Sequence, residues 1–271
     1  MALFTDGNPN SIGDLSMYET SMVNVASVEG IDLDSKLTLA TNELGADILA
    51  FLLREWPRDP QSNGNFLFAF NNGEMARRRL ALGTVAVTAP LRRWHILKTL
   101  SLVYRDAYDN QLNDRYHGKW REYAQLAQAS SLRYFQDGVG LVLHALPKPG
   151  APVLASVAGA LAGTTYFASV TWLNAMGAEG SPSDPLTFDT GSGGLLVVTP
   201  PAAPAPPTTA VTGWNVYIGT TASGMTLQNS GPLTLGAPWT IPASGVANGV
   251  AIGCGQSPDI YLRDWHEIPR G

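Results

Sequence analysis

Charge is distributed unevenly along this chain, and the change comes at Pro147. Residues 1–147 carry 14 of the 17 Lys and Arg residues and 16 of the 22 Asp and Glu residues. Residues 148–256 carry only Lys148, Glu179, Asp184 and Asp189. A charged half with helical periodicity and an almost uncharged half rich in Gly, Ala, Thr and Pro do not readily share one core, so we predict two domains. Neither half shows an assembled active site, which favours a structural or interaction protein over an enzyme.

The composition narrows the class of protein further. An apolar content of 45% is enough for packed cores, and the net charge of −5 argues against a general binder of nucleic acid or acidic membranes. The single cysteine, Cys254, excludes an intramolecular disulfide and fits folding in a reducing cytoplasm. The first residues show no secretion signal. The uncharged stretch 149–178 consists mainly of Gly, Ala, Ser and Thr, so we expect no membrane span and no membrane partner.

Three helices are predicted in the first half. Apolar residues at helical spacing from Leu37 to Leu52 indicate a helix that starts at Asp34 or Ser35 and ends near Glu55. A second helix opens at Ala89-Pro90, carries two apolar stripes and is therefore expected to be central. After a break at Asp109-Asn110, a third helix runs over about 112–135 until Gly138 and Gly140 stop it. A shorter helix is predicted near 12–17, and a small β insertion near 64–88.

Aromatic residues recur on the second and third helices. Large amphipathic aromatics suit both a domain core and an interface with a neighbouring subunit, so the spacing leaves both roles open and favours the core. The residues that we consider as candidates for a subunit interface are Arg92, Arg93, Trp94, Tyr104, Tyr108, Arg115, Tyr116, Trp120 and Tyr123.

These helices also carry a likeness to known proteins. The run PLRRWHILKTLSLVYRDAYDNQLNDRYHGKWREY, from Pro90 to Tyr123, resembles the head-to-tail adaptor (head-completion or connector) proteins of tailed bacteriophages and gene transfer agents. The segments ALFTDGNPNSIGDL and VASVEGIDLDSKLTLATNELGADI resemble the same group, and the likeness covers most of residues 1–145. It implies a helical bundle that forms a homo-oligomeric ring, commonly twelvefold, between portal and tail.

The second half is predicted to be all β. Pro147, Pro149 and Pro152 bracket a stiff linker. Alternating residues then predict a strand at 164–173 and shorter strands at 186–188, 195–198, 213–218, 226–228 and 239–241. GTTYFASVTWLNAMGAEGSPS resembles the tyrosine-corner region of fibronectin type III domains, with Tyr166 in the place of the tyrosine, and LLVVTPP with TGWNVYIG resembles their B and C strands. The order of the two pieces is inverted relative to that family, so the resemblance implies an Ig/fibronectin-like sandwich of unspecified strand order.

The predicted fold class is therefore α+β and multidomain. It consists of a helical adaptor domain at 1–147, an Ig/fibronectin-like β-sandwich at 148–256 and a C-terminal arm at 257–271. Charge returns in this arm, and its apolar residues suit either docking onto a partner or packing onto its own helical domain. The candidate docking residues are Tyr261, Leu262, Arg263, Trp265 and Ile268.

Several motifs point to chemistry that the rest of the chain does not support. Asp189-Thr190-Gly191-Ser192 matches the aspartic-protease triplet, but that chemistry needs a second carboxylate, and the glycines fit a hairpin turn. His95, His117, His144 and His266 lie far apart, and no nucleotide-binding glycine motif is present. We therefore expect no catalytic residues, no metal and no cofactor, and we keep a protease only as a distant alternative.

Two basic clusters, Arg77-Arg78-Arg79 and Arg92-Arg93, have three interpretations. In order of preference they are a subunit interface, a solvated surface and a contact with DNA. The sequence thus predicts a virion protein of the head–tail neck, assembled from the host cytoplasm. Its expected partners are itself, the portal protein, a tail or tail-completion protein, neck fibres and the double-stranded DNA that passes through the ring without specific binding. The alternative is a tail or baseplate module that grips polysaccharide through Trp172, Trp214 and Trp239.

Overall fold

The chain folds into two units of different secondary structure. The computed structural model describes residues 2–55, 81–111, 114–204 and 211–263. Within these ranges it contains five α-helices and nine β-strands, so the fold is mixed α+β. One unit, here the helical unit, comprises residues 7–143 and 258–271, and the other, the β-unit, comprises residues 1–6 and 144–257.

The helical unit is built around its fourth helix. Its helices are α1 (Ile12–Tyr18), α2 (Met22–Glu29), α3 (Leu33–Glu55), α4 (Ala89–Gln111) and α5 (Asp114–Asp137). Helix α4 contacts each of the other four and packs most extensively on α5. Leu91, Leu100 and Val103 of α4 are completely buried, which confirms that this helix is packed on two sides.

Local chemistry explains where the helices begin and end. The Ser11 hydroxyl accepts the Asp14 N–H at 3.2 Å while the Asp14 carboxylate accepts the Ser11 N–H at 2.8 Å, which is a capping box for α1. Helix α5 ends before Gly138, whose φ of 111° is unfavourable for a side-chain-bearing residue. The predicted break or bend at Asp109-Asn110 is misplaced, since α4 continues to Gln111 and the next helix begins at Asp114. The Asn110 amide donates to the Glu29 carbonyl at 3.1 Å, so its side chain does not compete with the α4 backbone.

A small sheet closes the helical unit with the last described segment of the chain. Strand β1 (Val139–Leu141) pairs antiparallel with β9 (Ile260–Leu262), and Val85 bridges Leu141. Of the β insertion predicted near 64–88, only residues 81–88 are described, and they form a short 3₁₀ turn followed by this bridge. The packing of β1 against the returning chain is close, because a Cβ added at Gly140 would lie 2.8 Å from Pro258 Cγ.

The β-unit consists of two antiparallel sheets that share one core. The three-stranded sheet has the order β2-β5-β8, and the four-stranded sheet has the order β4-β3-β6-β7. The core takes Leu196 and Val198 from the first sheet and Val170, Trp172 and Trp214 from the second. The strand bounds are β2 (Val153–Ala158), β3 (Thr165–Asn174), β4 (Leu186–Asp189), β5 (Gly194–Thr199), β6 (Val211–Gly219), β7 (Thr226–Leu227) and β8 (Trp239–Thr240).

The two ends of the chain belong to unexpected units. Residues 2–6 join the β-unit, where the Asp6 carboxylate accepts the Lys148 N–H at 2.8 Å and the Ser181 hydroxyl at 2.7 Å. Residues 258–263 join the helical unit instead of forming a separate arm. The β-unit is therefore inserted in the chain of the helical unit, between Leu143 and Pro258. The predicted boundaries at 147/148 and 256/257 differ from this division. The short segments near the boundaries join their units through hydrogen bonds with distant parts of the chain, and such bonds leave no periodic pattern in the sequence.

Candidate interaction surface

An acidic side chain organises the aromatic residues of α4 and α5. The Glu19 carboxylate accepts the Tyr123 hydroxyl at 2.6 Å and pairs with the Lys119 ammonium at 2.9 Å. The Ser21 hydroxyl donates to the same carboxylate at 2.7 Å. The hydrogen bond from Tyr123, then that from Ser21 and the contact with Lys119, lower the pKa of Glu19 to about 2. Glu19 is therefore ionised at neutral pH and joins the α1–α2 connection to α5.

The tyrosines behind Glu19 form an internal layer. Tyr104 stacks on Tyr123 with ring centroids 5.5 Å apart, and Tyr116 lies 6.2 Å from Tyr104. The Tyr116 hydroxyl donates to Glu29 at 3.1 Å. All three tyrosines are buried. Burial is the main cause that raises the pKa of Tyr104 and Tyr123, and Glu19 raises the pKa of Tyr123 further.

A second aromatic group reaches the surface. Tyr108 stacks nearly parallel on Trp120 at 5.9 Å, and His117 lies 5.1 Å from Tyr108 and 5.7 Å from Trp120. These three side chains, here the surface aromatic group, are half-buried. Arg115 of the same helix as His117 and Trp120 is exposed, and its guanidinium lies over the ring of Tyr116 at 5.4 Å. A partly exposed aromatic stack, with an exposed arginine on one of its two helices, has the composition that protein interfaces favour.

The structure therefore divides the predicted interface residues into two sets. Trp94, Tyr104, Tyr116 and Tyr123 are buried, with at most 8% of each residue exposed, and they contact their own unit. This burial corrects their place among the interface candidates and assigns them to the core. The apolar stripes on both faces of α4 pack against α5 and α3 of the same chain. Arg92, Arg93, Tyr108, Arg115 and Trp120 remain at the surface. Arg92 and Arg93 lie in the first turns of α4, and Arg77–Arg79 lie outside the described residues.

A shallow groove of about 170 Å³ runs between α3 and α5 over the α4 surface. Asp47, Trp94, Lys98 and Gln128 line it together with small residues of α4 and α5. The Lys98 ammonium pairs with Glu43 of α3 at 2.5 Å. Sequence reasoning missed this groove, since it depends on how far apart α3 and α5 sit.

The predicted docking residues at the C-terminus lie partly in the β1–β9 sheet. Tyr261 and Leu262 belong to β9, and the Arg263 guanidinium donates to the Asp137 carbonyl at 3.2 Å. Packing onto the helical domain, one of the two interpretations of this segment, is thus realised for residues 258–263. Tyr261 keeps 54% of its surface exposed. Trp265 and Ile268 lie outside the described residues.

A buried histidine fastens the N-terminal segment of the helical unit. His95 of α4 has no exposed surface, and its Nδ1 lies 3.1 Å from the Asn10 amide nitrogen. Its Nε2 lies 3.0 Å from the Thr41 hydroxyl and 3.1 Å from the Leu37 carbonyl. The carbonyl requires a proton on Nε2 and the Asn10 amide requires an unprotonated Nδ1, which defines one neutral tautomer. Burial lowers the pKa of His95 to about 4, so the ring is neutral at pH 7.

In the β-unit a carboxylate gathers polar side chains from the four-stranded sheet. Glu179 Oε1 accepts hydrogen bonds from the Asn215 amide at 3.0 Å, from the Tyr217 hydroxyl at 2.8 Å and from the Thr171 hydroxyl. The Asn229 amide extends the network to Asn215 Oδ1 at 2.8 Å. Thr171, Asn215 and Tyr217 are buried, so this network fixes the segment that carries Glu179 onto the sheet.

The tryptophans considered for polysaccharide stacking are mostly internal. Trp172 and Trp214 are 2% and 0% exposed and lie directly opposite each other on β3 and β6. The Trp214 indole donates to the Thr234 carbonyl at 3.0 Å. Only Trp239 of β8 is half-buried, so Trp172 and Trp214 present no stacking surface, which corrects that interpretation. Tyr166 also lies in the core of the β-unit.

The Asp189 motif, considered for catalysis, forms a local turn. Asp189 is exposed at the turn between β4 and β5, and its carboxylate accepts the Gly191 N–H at 3.0 Å, as in an Asx turn. Within the described ranges, no three His, Cys, Asp or Glu side chains are grouped to hold a metal ion. No helix in the described part of the chain is long and apolar enough to cross a membrane.

Comparison with known proteins returns no relative: no protein-family model, no curated protein and no solved structure matches this chain.

Proposed function

We propose that this chain is a virion structural protein, a head-to-tail adaptor that forms a homo-oligomeric ring between the portal and the tail. The observation that carries the proposal is the surface aromatic group of Tyr108, His117 and Trp120. It is half-buried within the free chain, and it lies inside the segment Pro90–Tyr123 that resembles adaptor proteins.

A closed ring needs side-to-side contacts between unlike surfaces of identical subunits. Trp120 and Tyr108 can each lose further accessible surface on association, and exposed Arg115 can supply a cation at the rim of the contact. The buried tyrosines Tyr104, Tyr116 and Tyr123 then act indirectly, because they fix α4 against α5 and so position the two stacked rings.

The β-unit has a separate role in this proposal. Its three- and four-stranded sheets around a shared core are compatible with an Ig/fibronectin-like sandwich, a module that mostly binds or spaces. We assign it to spacing or decoration of the neck, or to fibre attachment. Its partners in the virion are then the neck fibres, while the portal and the tail protein contact the helical unit.

The decisive experiment combines light scattering and negative-stain imaging of the purified chain, alone and with portal rings encoded by the same genome. The expected result is added density on one end of the portal. Trp120→Ala should abolish it, whereas the matched variant Gln125→Ala, an exposed residue of the same helix, should preserve it. A wild-type chain that stays monomeric and ignores the portal would contradict the proposal.

A further inference from the structure

Strand β2 (Val153–Ala158) is an edge strand of unusual composition. It pairs only with β5 in the three-stranded sheet, and no described backbone group bonds to its other side. Val153 and Val157 are 64% and 48% exposed, and residues 149–178 contain no charge. Proteins normally blunt such edges with charges, bulges or prolines, since an open edge templates pairing with another chain. Within β2 none of these devices is present.

The direction of the open backbone groups follows from the ladder. The Gly159 N–H donates to the Gly193 carbonyl at 2.7 Å, and the Leu196 carbonyl accepts from Ile241 on the β8 side at 2.8 Å. Odd-numbered residues of β2 therefore bond β5, because antiparallel bonding alternates along a strand. The N–H and C=O groups of Leu154 and Ser156 point to the open edge.

The outward-facing side chains of β2 are symmetric about Ala155. Leu154 lies opposite the fully buried Val198 and packs on the core, so Val153, Ala155 and Val157 point away from it. This outward face has the sequence Val-Ala-Val, which is the same in both directions. In an antiparallel pair of two β2 strands centred on Ala155, Leu154 of one copy exchanges backbone bonds with Ser156 of the other.

We propose that β2 pairs antiparallel with β2 of a second copy of this chain, with Ala155 on the twofold axis. Val153 then faces Val157 of the other copy on the outward side, where non-bonded pairs bring side chains closest. The small Ala155 avoids a clash at the axis. An uncharged strand brings no like charges together, so the contact is electrostatically compatible with itself. The result is a continuous six-stranded sheet across two β-units.

This inference goes beyond the proposed ring. Ring contacts join unlike surfaces, whereas the β2 contact is isologous and needs no portal protein. The test of the β2 contact therefore uses this purified chain alone. A monomeric chain that still binds portal rings would refute only the β2 contact, and a dimeric chain that ignores them would refute only the adaptor proposal.

Cysteine cross-linking tests the register directly. In a chain whose exposed Cys254 is replaced by Ser, Ala155→Cys should form a disulfide-linked dimer under mild oxidation, since paired Cα atoms there lie about 4.5 Å apart. The matched variant Val157→Cys should not link to itself, because its counterpart lies four residues along the strand, about 13 Å away. A mixture of the Val153→Cys and Val157→Cys chains should form a mixed dimer.

Charge provides a second test. Ala155→Glu places two carboxylates side by side at the axis, and we expect it to abolish the dimer in sedimentation equilibrium. Ala155→Lys chains added to Ala155→Glu chains should restore it as a mixed dimer. Ala175→Glu, at an exposed turn of the same unit, should leave it intact. A monomeric wild type would overturn the proposal, and so would equal self-linking of the 155 and 157 cysteine variants. A strand of another protein paired with the open edge of β2 would also overturn it.

Discussion

The Leu143 backbone N–H donates to the Asp259 carboxylate across 2.8 Å, although 115 residues separate the two positions in the chain. The Asp259 N–H donates in turn to the Leu141 carbonyl at 2.9 Å. The chain thus leaves the helical unit and returns to it at neighbouring points. The β-unit is therefore an insertion between two neighbouring backbone positions of the helical unit.

The first prediction is that the β-unit can be excised. Joining Leu143 to Pro258 through a short Gly/Ser linker, and starting the chain near Gly7, should preserve the paired strands β1 and β9 and the five helices. Circular dichroism should show a cooperative helical transition. Under the proposed adaptor function, this deletion should remove fibre attachment or alter neck composition while the ring still forms.

A matched deletion controls for the linker. Ending the chain at Leu143 removes β9 as well, so it should lower the melting temperature relative to the linked variant. If the excised chain is unfolded, the helical unit is not an independent unit. If neck composition, fibre attachment and infectivity are unchanged by the deletion, the proposed role of the β-unit is wrong.

The second prediction concerns a buried hydroxyl. Tyr134 of α5 is completely buried, and its hydroxyl has no hydrogen-bond partner among the described residues. Its ring lies 5.6 Å from Trp94 and 5.4 Å from Phe135. Tyr134→Phe keeps these ring contacts and removes an unsatisfied polar atom, so it should raise the free energy of unfolding by about 1 kcal/mol.

Tyr123→Phe is the matched control on the same helix. Its hydroxyl donates to the ionised Glu19, so its loss should lower the free energy of unfolding by about 1.5–3 kcal/mol. Urea denaturation of both variants measures the difference. If both lowered the stability, the hydroxyl of Tyr134 would have a partner in solution.

Sequence patterns located the regular elements well. The helix predicted from Asp34 to Glu55 is observed at Leu33–Glu55, and the strand predicted at 164–173 is observed at Thr165–Asn174. These elements bury one face against a core, and burial on one face is what periodicity records. The end of α5 at Gly138 was also predicted, because glycine readily adopts the positive φ with which helices often end.

The elements that sequence reasoning missed lack such a signal. Strand β2 follows Pro152 and is almost entirely exposed, so its residues lack the apolar alternation that predicts a strand. Strands β1 and β9 are three residues each, and their pairing depends on contacts between distant parts of the chain. Of the surface aromatic group, Tyr108 and Trp120 were predicted as interface candidates and His117 was not. The spacing also does not separate Trp120 from Tyr116 and Tyr123, which share its stripe and are buried.

The third prediction is a pH dependence that originates at His95. The unfolded histidine takes up a proton near its usual pKa of 6.5, whereas the folded one does so only near 4. Between these values the unfolded chain binds more protons, so stability falls as the pH falls, by at most about 1.4 kcal/mol per pH unit. Above pH 6.5 this contribution is complete and constant.

Replacement isolates the contribution of His95. His95→Gln can still donate to the Leu37 carbonyl but does not titrate, so its stability should change less between pH 6.5 and 4 than that of the wild type. Gln125→Ala, at an exposed position that does not titrate, is the control and should keep the wild-type slope. Glu19 contributes to the pH dependence only at lower pH. Its ionised form stabilises the fold above pH 4.5, and this contribution is lost as the pH falls toward about 2, the pKa of the folded state. Equal slopes for His95→Gln and wild type would remove His95 as the source.

The last prediction tests whether Glu179 holds the β-unit together. Glu179→Ala leaves the Thr171, Asn215 and Tyr217 donors without their shared acceptor, so it should lower the stability of the β-unit by roughly 2–3 kcal/mol. Asp184→Asn removes a charge from the same unit, but its pair with Lys148 is largely exposed and should matter by less than about 0.5 kcal/mol. Hydrogen exchange of the backbone amides in β3 and β6 follows this unit, beside circular dichroism for the helices. Equal losses in the two variants would mean that net charge, rather than the convergent hydrogen bonds, sets the stability of the sheet.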